Sequence, residues 1–279
     1  MVAKRLKLPE INLFVGSRMY SFNTPQVMGI INVTPDSFYA KSRHITPVEV
    51  FITIANMIEA GAAIIDIGAA SSRPGAHPCS AQQEWERLSP VLKELRSHFP
   101  DTLFSIDTFY ATVVEQACDL IGPFIINDIS AGEDDPRLFS VAARLQLPII
   151  AMHKKETPPD ANLVSEVHNY FAAVLARAQE AGVPQIILDP GFGFAKDTPQ
   201  NYTLLSHLST LFDFPDVLRL IGISRKSMIY KPLCITPDEA LSATTALHLY
   251  ALQQGVDILR VHDVAEAMQA IQLYKFLFH

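Results

Sequence analysis

Eight short apolar runs in this 279-residue chain each close on a polar or charged residue. The closing residues are Asn32, Asp66, Asp107, Asn127 with Asp128, His153, Asp189, the stretch from Ser224 to Lys226, and Arg260 with His262. Taken singly, an Asp or Asn after an apolar run is a turn residue or a helix cap. Taken together they are mostly short side chains that hold a fixed geometry, whereas a solvated rim favours Lys and Glu on long stems. They divide into two chemistries. Asp107, Asn127 and Asp189 offer acceptors and an amide, which suit a flat heterocycle with several N–H donors, such as a 2-aminopyrimidinone edge. A buried carboxylate can accept two parallel hydrogen bonds from such an edge. Arg260, His262, Arg73 and Lys226 offer cationic donors, which suit phosphate. The combination predicts a mouth that takes an amidine-like ring at one end and phosphate at the other. Asn32, within N-V-T-P-D-S-F, can give one neutral oxygen to a Mg²⁺ that draws its other ligands from phosphate and water. The alternative for Asn32 is a turn-forming residue before Thr34 and Pro35.

The elements that must carry these residues are legible in the apolar periodicity. The runs are 27–33, 63–68, 103–108, 124–129, 148–153, 186–189, 220–224 and 258–262, and each is continuously apolar rather than alternating. That is the signature of strands covered on both faces. Helical segments lie between them. Thr46 and Pro47 read as an N-cap and first turn, with Gly61 as the stop; Ser80 with Gln83 reads as a capping box; Thr236 and Pro237 open a helix that ends near Gly255. Eight strand–helix units in one chain predict a closed parallel (β/α)8 TIM barrel, with an open doubly wound sheet as the alternative. In such barrels the C-terminal strand ends converge on one mouth, and the loops after strands seven and eight commonly hold phosphate. Ahead of the first barrel strand, residues 11–15 and 18–22 around Gly16-Ser17 predict a β-hairpin closing the bottom of the barrel. Residues 1–279 therefore read as one domain, with 1–25 as an N-terminal extension.

Composition sets the surroundings of such a site. Hydrophobic residues make up 49% of the chain and charged residues 18%, enough for a large core without staples. The net charge of −7 argues against a nucleic-acid binder, which would present a basic face. Cys79, Cys118 and Cys234 are odd in number and unpaired in spacing, which excludes a disulfide scaffold and fits a reducing cytoplasm. No apolar run reaches membrane-spanning length, so no membrane partner is expected. Gly191-Phe192-Gly193-Phe194 lacks the full G-x-G-x-x-G and follows the sixth run, so a dinucleotide site is rejected.

Seven motifs in order then carry a resemblance. They are M-G-I-I-N-V-T-P-D-S-F at 28–38, D-I-G-A-A-S-S-R-P-G-A at 66–76, S-I-D-T at 105–108, I-N-D-I at 126–129, D-P-G-F-G-F at 189–194, S-R-K-S at 224–227 and R-V-H-D-V at 260–264. With them the chain resembles the dihydropteroate synthase family of pterin-binding TIM barrels over nearly its whole length. The resemblance implies a Mg²⁺-assisted transferase of folate biosynthesis and a sulfonamide target. Such an enzyme condenses 6-hydroxymethyl-7,8-dihydropterin pyrophosphate with 4-aminobenzoate, giving 7,8-dihydropteroate and pyrophosphate. It implies that Asp107, Asn127, Asp189 and Lys226 hold the pterin, with Met152 and Phe194 against the ring. It further implies that Asn32, Arg73, Arg260 and His262 hold the pyrophosphate, with Asn32 at the metal, and that Phe38, Ser72, Pro74, Phe194 and Ser227 line the aminobenzoate site. Asp107, Lys226, Arg260 and Asn32 would carry the catalysis, and a homodimer through the last helices is expected. The chain departs from the family pattern at Tyr39 to Arg43, at Ala70 and Ser72, and at Lys154 to Glu156. Two other readings share the pterin cluster: a methyltetrahydrofolate-dependent methyltransferase, which would not need the phosphate-binding cations, and a pterin binder that does not condense its ligand.

Overall fold

The computed structural model describes residues 10–33, 46–69, 79–157 and 162–278. Eight parallel strands close into a barrel: β3 (Gln26–Asn32), β4 (Ile64–Gly68), β5 (Leu103–Asp107), β6 (Ile125–Asp128), β7 (Ile149–Met152), β8 (Ile186–Asp189), β9 (Leu218–Ile221) and β10 (Ile258–Val261). β10 pairs with β3 to complete the ring. The main helices between them are α1 (Pro47–Glu59), α2 (Ala81–His98), α3 (Ala111–Ile121), α4 (Leu138–Leu145) and α5 (Leu163–Ala181). After β8 come α6 (Thr198–Ser206) and α7 (Leu208–Leu211), then α8 (Ser227–Tyr230), α9 (Leu241–Gln253) and α10 (Val264–Phe278). The expected TIM barrel is therefore found. The anticipated capping box opens α2 through Ser80 and Gln83, and the expected N-cap Thr46 of α1 proves to form a second box with Glu49. The seventh barrel strand begins two residues before the expected run. Arg219 lies inside it and breaks the apolar pattern; its guanidinium bonds the Gly255 carbonyl at 3.1 Å.

Continuous apolarity hides a two-residue division of labour. Ile65, Ile67, Phe104, Ile106, Ile126, Leu188, Leu259 and Val261 face the helices in one large core. Their neighbours Ile64, Leu103, Ile125, Ile187 and Ile258 fill the lumen in a second core. Successive strand residues point to opposite faces, so each lumen-facing isoleucine or leucine is followed two residues later by another lumen position. Those next positions are Asp66, Ser105, Asn127, Asp189 and Arg260. One step further lie Gly68, Asp107 and His262.

The hairpin β1 (Ile11–Val15) and β2 (Arg18–Phe22) pairs antiparallel as expected. Ile11, Leu13 and Val15 pack onto the lower lumen layer formed by Met28, Ile64, Leu103, Ile125, Ile150, Ile187 and Ile258. Gln185, in the loop before β8, accepts from the Phe14 amide at 3.0 Å and donates to the Asn12 carbonyl at 2.8 Å. Apolar burial and these bonds seal the end of the barrel opposite the functional residues.

Candidate active site

Asp66 is fully buried in the middle of β4 and organises the lumen above the apolar floor. Arg260 donates to its Oδ2 from Nε at 2.7 Å, with Nη2 at 2.6 Å from the same oxygen. The Asn127 amide donates to that oxygen at 2.9 Å. Arg260 Nη2 also reaches Asp107 Oδ2 at 3.1 Å. One guanidinium from β10 therefore serves two carboxylates, on the adjacent strands β4 and β5. Burial pushes Asp107 up to about 7, with Arg260 opposing and the charges of Asp66 and Asp128 reinforcing the shift. Gly68 pairs with Asp107 across the sheet, and a Cβ there would stand 3.1 Å from the Asp107 Cβ. The missing side chain leaves Asp107 its place.

On the opposite wall Asp189 ends β8, beside Met152 at the end of β7. The Gly191 amide donates to Asp189 Oδ1 at 2.8 Å. Gly191 has φ +68°, and a Cβ on it would fall 2.1 Å from the His153 carbonyl oxygen, so this turn admits only glycine. Burial raises the Asp189 pKa while Lys226 works against that rise. Lys226 donates to the Phe192 carbonyl and lies over the Phe194 ring, 4.7 Å from its centroid. Burial brings Lys226 down to about 8, so it remains a cation at neutral pH. Lys196 donates to the carbonyls of His153, Gly191 and Phe194 at 3.0, 3.2 and 3.0 Å, fixing the 190–196 turn. Asn201 accepts from the Gly193 amide at 2.7 Å and braces the same turn.

Arg225 and His262 complete the rim. Arg225 adopts φ +54° and grips Asp263 through Nε–Oδ2 and Nη2–Oδ1 bonds of 2.8 Å each. Ser224 bonds both the His262 amide and its ring. Burial and the adjacent Arg260 hold His262 down to about 4, so it enters as a neutral imidazole and not as the cation expected from its residue type.

The structure brings together Asp107, Asn127, Met152, Asp189, Lys226 and Arg260 around the lumen, with Asn32 at the end of β3, Phe194 and Ser227 at its edge, and His262 beyond Arg260. Phe38, Ser72, Arg73 and Pro74 lie outside the described residues. Acids and cations are interleaved, not divided into a ring end and a phosphate end, since Arg260 is paired with Asp66 and Asp107. Two strand-end residues do not join the mouth. Asp128 turns its carboxylate to the amides of Ser130 and Gly132, and His153 packs edge-on against Tyr170 of α5. Lys196, Asn201 and Asp263 were not among the expected site residues, and Asp66 and Arg225 were expected at the mouth without an assigned role. Asp66 stood in the motif at 66–76, and its buried place at the middle of a strand was the available signal.

Among the described residues no three His, Cys, Asp or Glu side chains gather as a metal cage. The donor set still suits Mg²⁺. Asn32, a neutral oxygen donor by residue type, ends β3, and Mg²⁺ commonly takes one or two protein oxygens and completes its octahedron with phosphate and water.

Comparisons with known proteins bear on the family and the fold. A family profile described as pterin binding enzyme matches residues 28–262. Dihydropteroate synthase of Escherichia coli strain K12 is 37% identical over 272 residues, covering 94% of this chain and 95% of that protein. The crystal structure of Yersinia pestis dihydropteroate synthase with a sulfonamide drug complex superposes with a TM-score of 0.87 at 36% identity, covering 95% of this chain and 98% of that one. Dihydropteroate synthase from Xanthomonas albilineans in complex with 7,8-dihydropteroate superposes with a TM-score of 0.84 at 32% identity, covering 95% and 98%.

Proposed function

The chain belongs to the pterin-binding enzyme family, among the dihydropteroate synthases, and from that premise we propose how its residues share the work. It is a transferase that joins a dihydropterin pyrophosphate to 4-aminobenzoate, forming 7,8-dihydropteroate and pyrophosphate. The observation that carries the assignment of roles is the interleaving of Asp107, Asn127 and Asp189 with Lys226 and Arg260 around one lumen. Acceptors facing inward suit the N–H edge of a pterin. Cations among them suit the oxygens of that edge and the leaving group.

Asp107, Asn127, Asp189 and Lys226 hold the ring, with Met152 against its face. Arg260 commits Nε and Nη2 to carboxylates, leaving Nη1 for the pyrophosphate. Asn32 and the neutral His262 complete that subsite and Phe194 and Ser227 line the aminobenzoate approach, while the family pattern would add Arg73 to the first and Phe38, Ser72 and Pro74 to the second. A Mg²⁺ held by Asn32 and the pyrophosphate would neutralise charge on the leaving oxygen. The bond from the pterin methylene carbon to oxygen breaks with its electrons on pyrophosphate, the aminobenzoate nitrogen bonds that carbon, and the nitrogen sheds a proton. Asp107 lies where a carboxylate favours positive charge on the ring as the first bond lengthens. Catalysis is then positioning and electrostatics, with no strong base required.

A homodimer fits the exposed side chains of Leu273, Phe276 and Leu277 on α10, which would be covered by a second copy. A cytoplasmic setting fits three free cysteines. No helix among the described residues is long and apolar enough to cross a membrane. Pyrophosphate release measured with both substrates, and with each omitted, tests the reaction. Release only when both are present supports it, and release with neither dependence overturns it. Chelation of Mg²⁺ should suppress the same signal, and light scattering on the eluting protein reads the dimer.

A further inference from the structure

We propose that Asp66, which no part of the reaction touches, is a positioning residue that apportions Arg260 between two carboxylates and fixes which side of the Asn127 amide faces the ligand. The proposal rests on the pterin reading above. Its geometry is unusual in one respect: a single oxygen, Asp66 Oδ2, takes Arg260 Nε at 2.7 Å, Arg260 Nη2 at 2.6 Å and Asn127 Nδ2 at 2.9 Å. Arg–carboxylate pairs usually spread over both oxygens in parallel bonds. Here Asp66 Oδ1 is buried without a partner, as is the Ser105 hydroxyl beside it on β5. Arg260 is therefore turned edge-on, and only the outer side of Nη2 reaches Asp107, at 3.1 Å.

Two consequences follow for the ligand. With one N–H of Nδ2 bonded to Asp66 the amide's orientation is fixed, and the Asn127 side-chain oxygen is its acceptor for an N–H from the ring. With Arg260 drawn toward Asp66, Asp107 receives only part of its neutralisation. The charged groups whose fields reach Asp107 are Arg260 from β10, Asp66 from β4, Asp128 from β6 and Glu84 from α2, so three of the four are acids. Burial does most to hold Asp107 between its charged and neutral forms, and Asp66 adds to it by repelling the second charge and drawing the cation away.

The isosteric variant Asp66→Asn separates this from a purely structural role. Carboxyl-carbon NMR of the ligand-free protein should show Asp107 titrating near 7 in the natural chain and about one unit lower in the variant, as Arg260 shifts to the remaining acid. Affinity for the dihydropterin pyrophosphate, read by calorimetry, should fall about tenfold or more, and the acid limb of kcat/KM should move down with Asp107. A variant that folds with an unmoved or raised Asp107 titration overturns the proposal. Should Asp66→Asn not fold, slow exchange of the Arg260 Nε–H and the Asn127 side-chain amide in the natural protein carries the test, and fast exchange of both overturns it. Failure of the natural protein to release pyrophosphate would instead sink the reaction, and the titration would still decide the role of Asp66.

Discussion

Arg225 and Asp263 are joined by two parallel hydrogen bonds of 2.8 Å, tying the turn after β9 to the residue that follows His262. Between them they set the positions of Lys226 and His262, although neither reaches the lumen. Replacing Arg225 by Lys removes the planar fork and one of the two bonds. We expect a loss of roughly 1–3 kcal/mol in transition-state stabilisation, about 5- to 150-fold in kcat/KM, with a smaller change in melting temperature. A loss confined to melting temperature, with kinetics intact, would contradict that reading.

Asp189→Asn exchanges an acceptor for a group that presents a donor to the ring. Pterin affinity should fall roughly 10- to 100-fold, the scale of one unsatisfied buried bond to a charged group. Calorimetry with the pterin alone measures it, and unchanged affinity would remove Asp189 from the ring.

Gly191→Ala places a methyl where the His153 carbonyl already stands. The left-handed backbone alone costs about 1–3 kcal/mol for a residue with a side chain, and the overlap adds to that. The urea midpoint should fall accordingly. Gly122, which also has positive φ but no atom within 4 Å of its absent Cβ, should tolerate alanine better.

Acid should weaken the fold through buried neutral histidines. His248 on α9 has neither ring nitrogen bonded, and burial lowers it to about 4; His153 is lowered to about 3. The unfolded chain binds a proton at each near pH 6.5 while the folded chain does not. Stability from these groups is therefore whole above about 6.5 and drains as pH falls toward 4. Urea midpoints at about pH 7.5 and 5 should differ in that direction, and His248→Gln should narrow the difference.

Ligand binding carries a separate limit at high pH. Lys226 is lowered to about 8, so its charge is lost as pH rises through that value. Affinity for the pyrophosphate-bearing pterin should decline above about 8, and Lys226→Met should abolish that limb along with most of the affinity.

The barrel was legible because strands covered on both faces cannot hide: Ile64 to Gly68 and Ile186 to Asp189 have no polar residue until their function demands one. Helix starts were legible because a cap is local; Thr46 finds Glu49 three residues on. Partnership across the lumen was not. Asp66 and Arg260 are 194 residues apart, and nothing in either neighbourhood says that one carboxylate will gather a guanidinium and an amide. Charge state was equally hidden. His262 reads as a cation by type, yet becomes neutral because burial and Arg260 surround it. Arg219 misled in the other direction, since a strand residue whose guanidinium escapes to a carbonyl looks in sequence like a strand boundary.

The alternation along each strand implies that mutational tolerance should carry a rhythm. In β4, changes at Ile65 and Ile67 strike the helix-facing core, whereas changes at Asp66 and Gly68 strike the chemistry. A saturation scan scored separately for abundance and for turnover would show the two scores rising and falling out of phase, with a beat of two residues. The pleat of a single strand would be recovered from growth data alone.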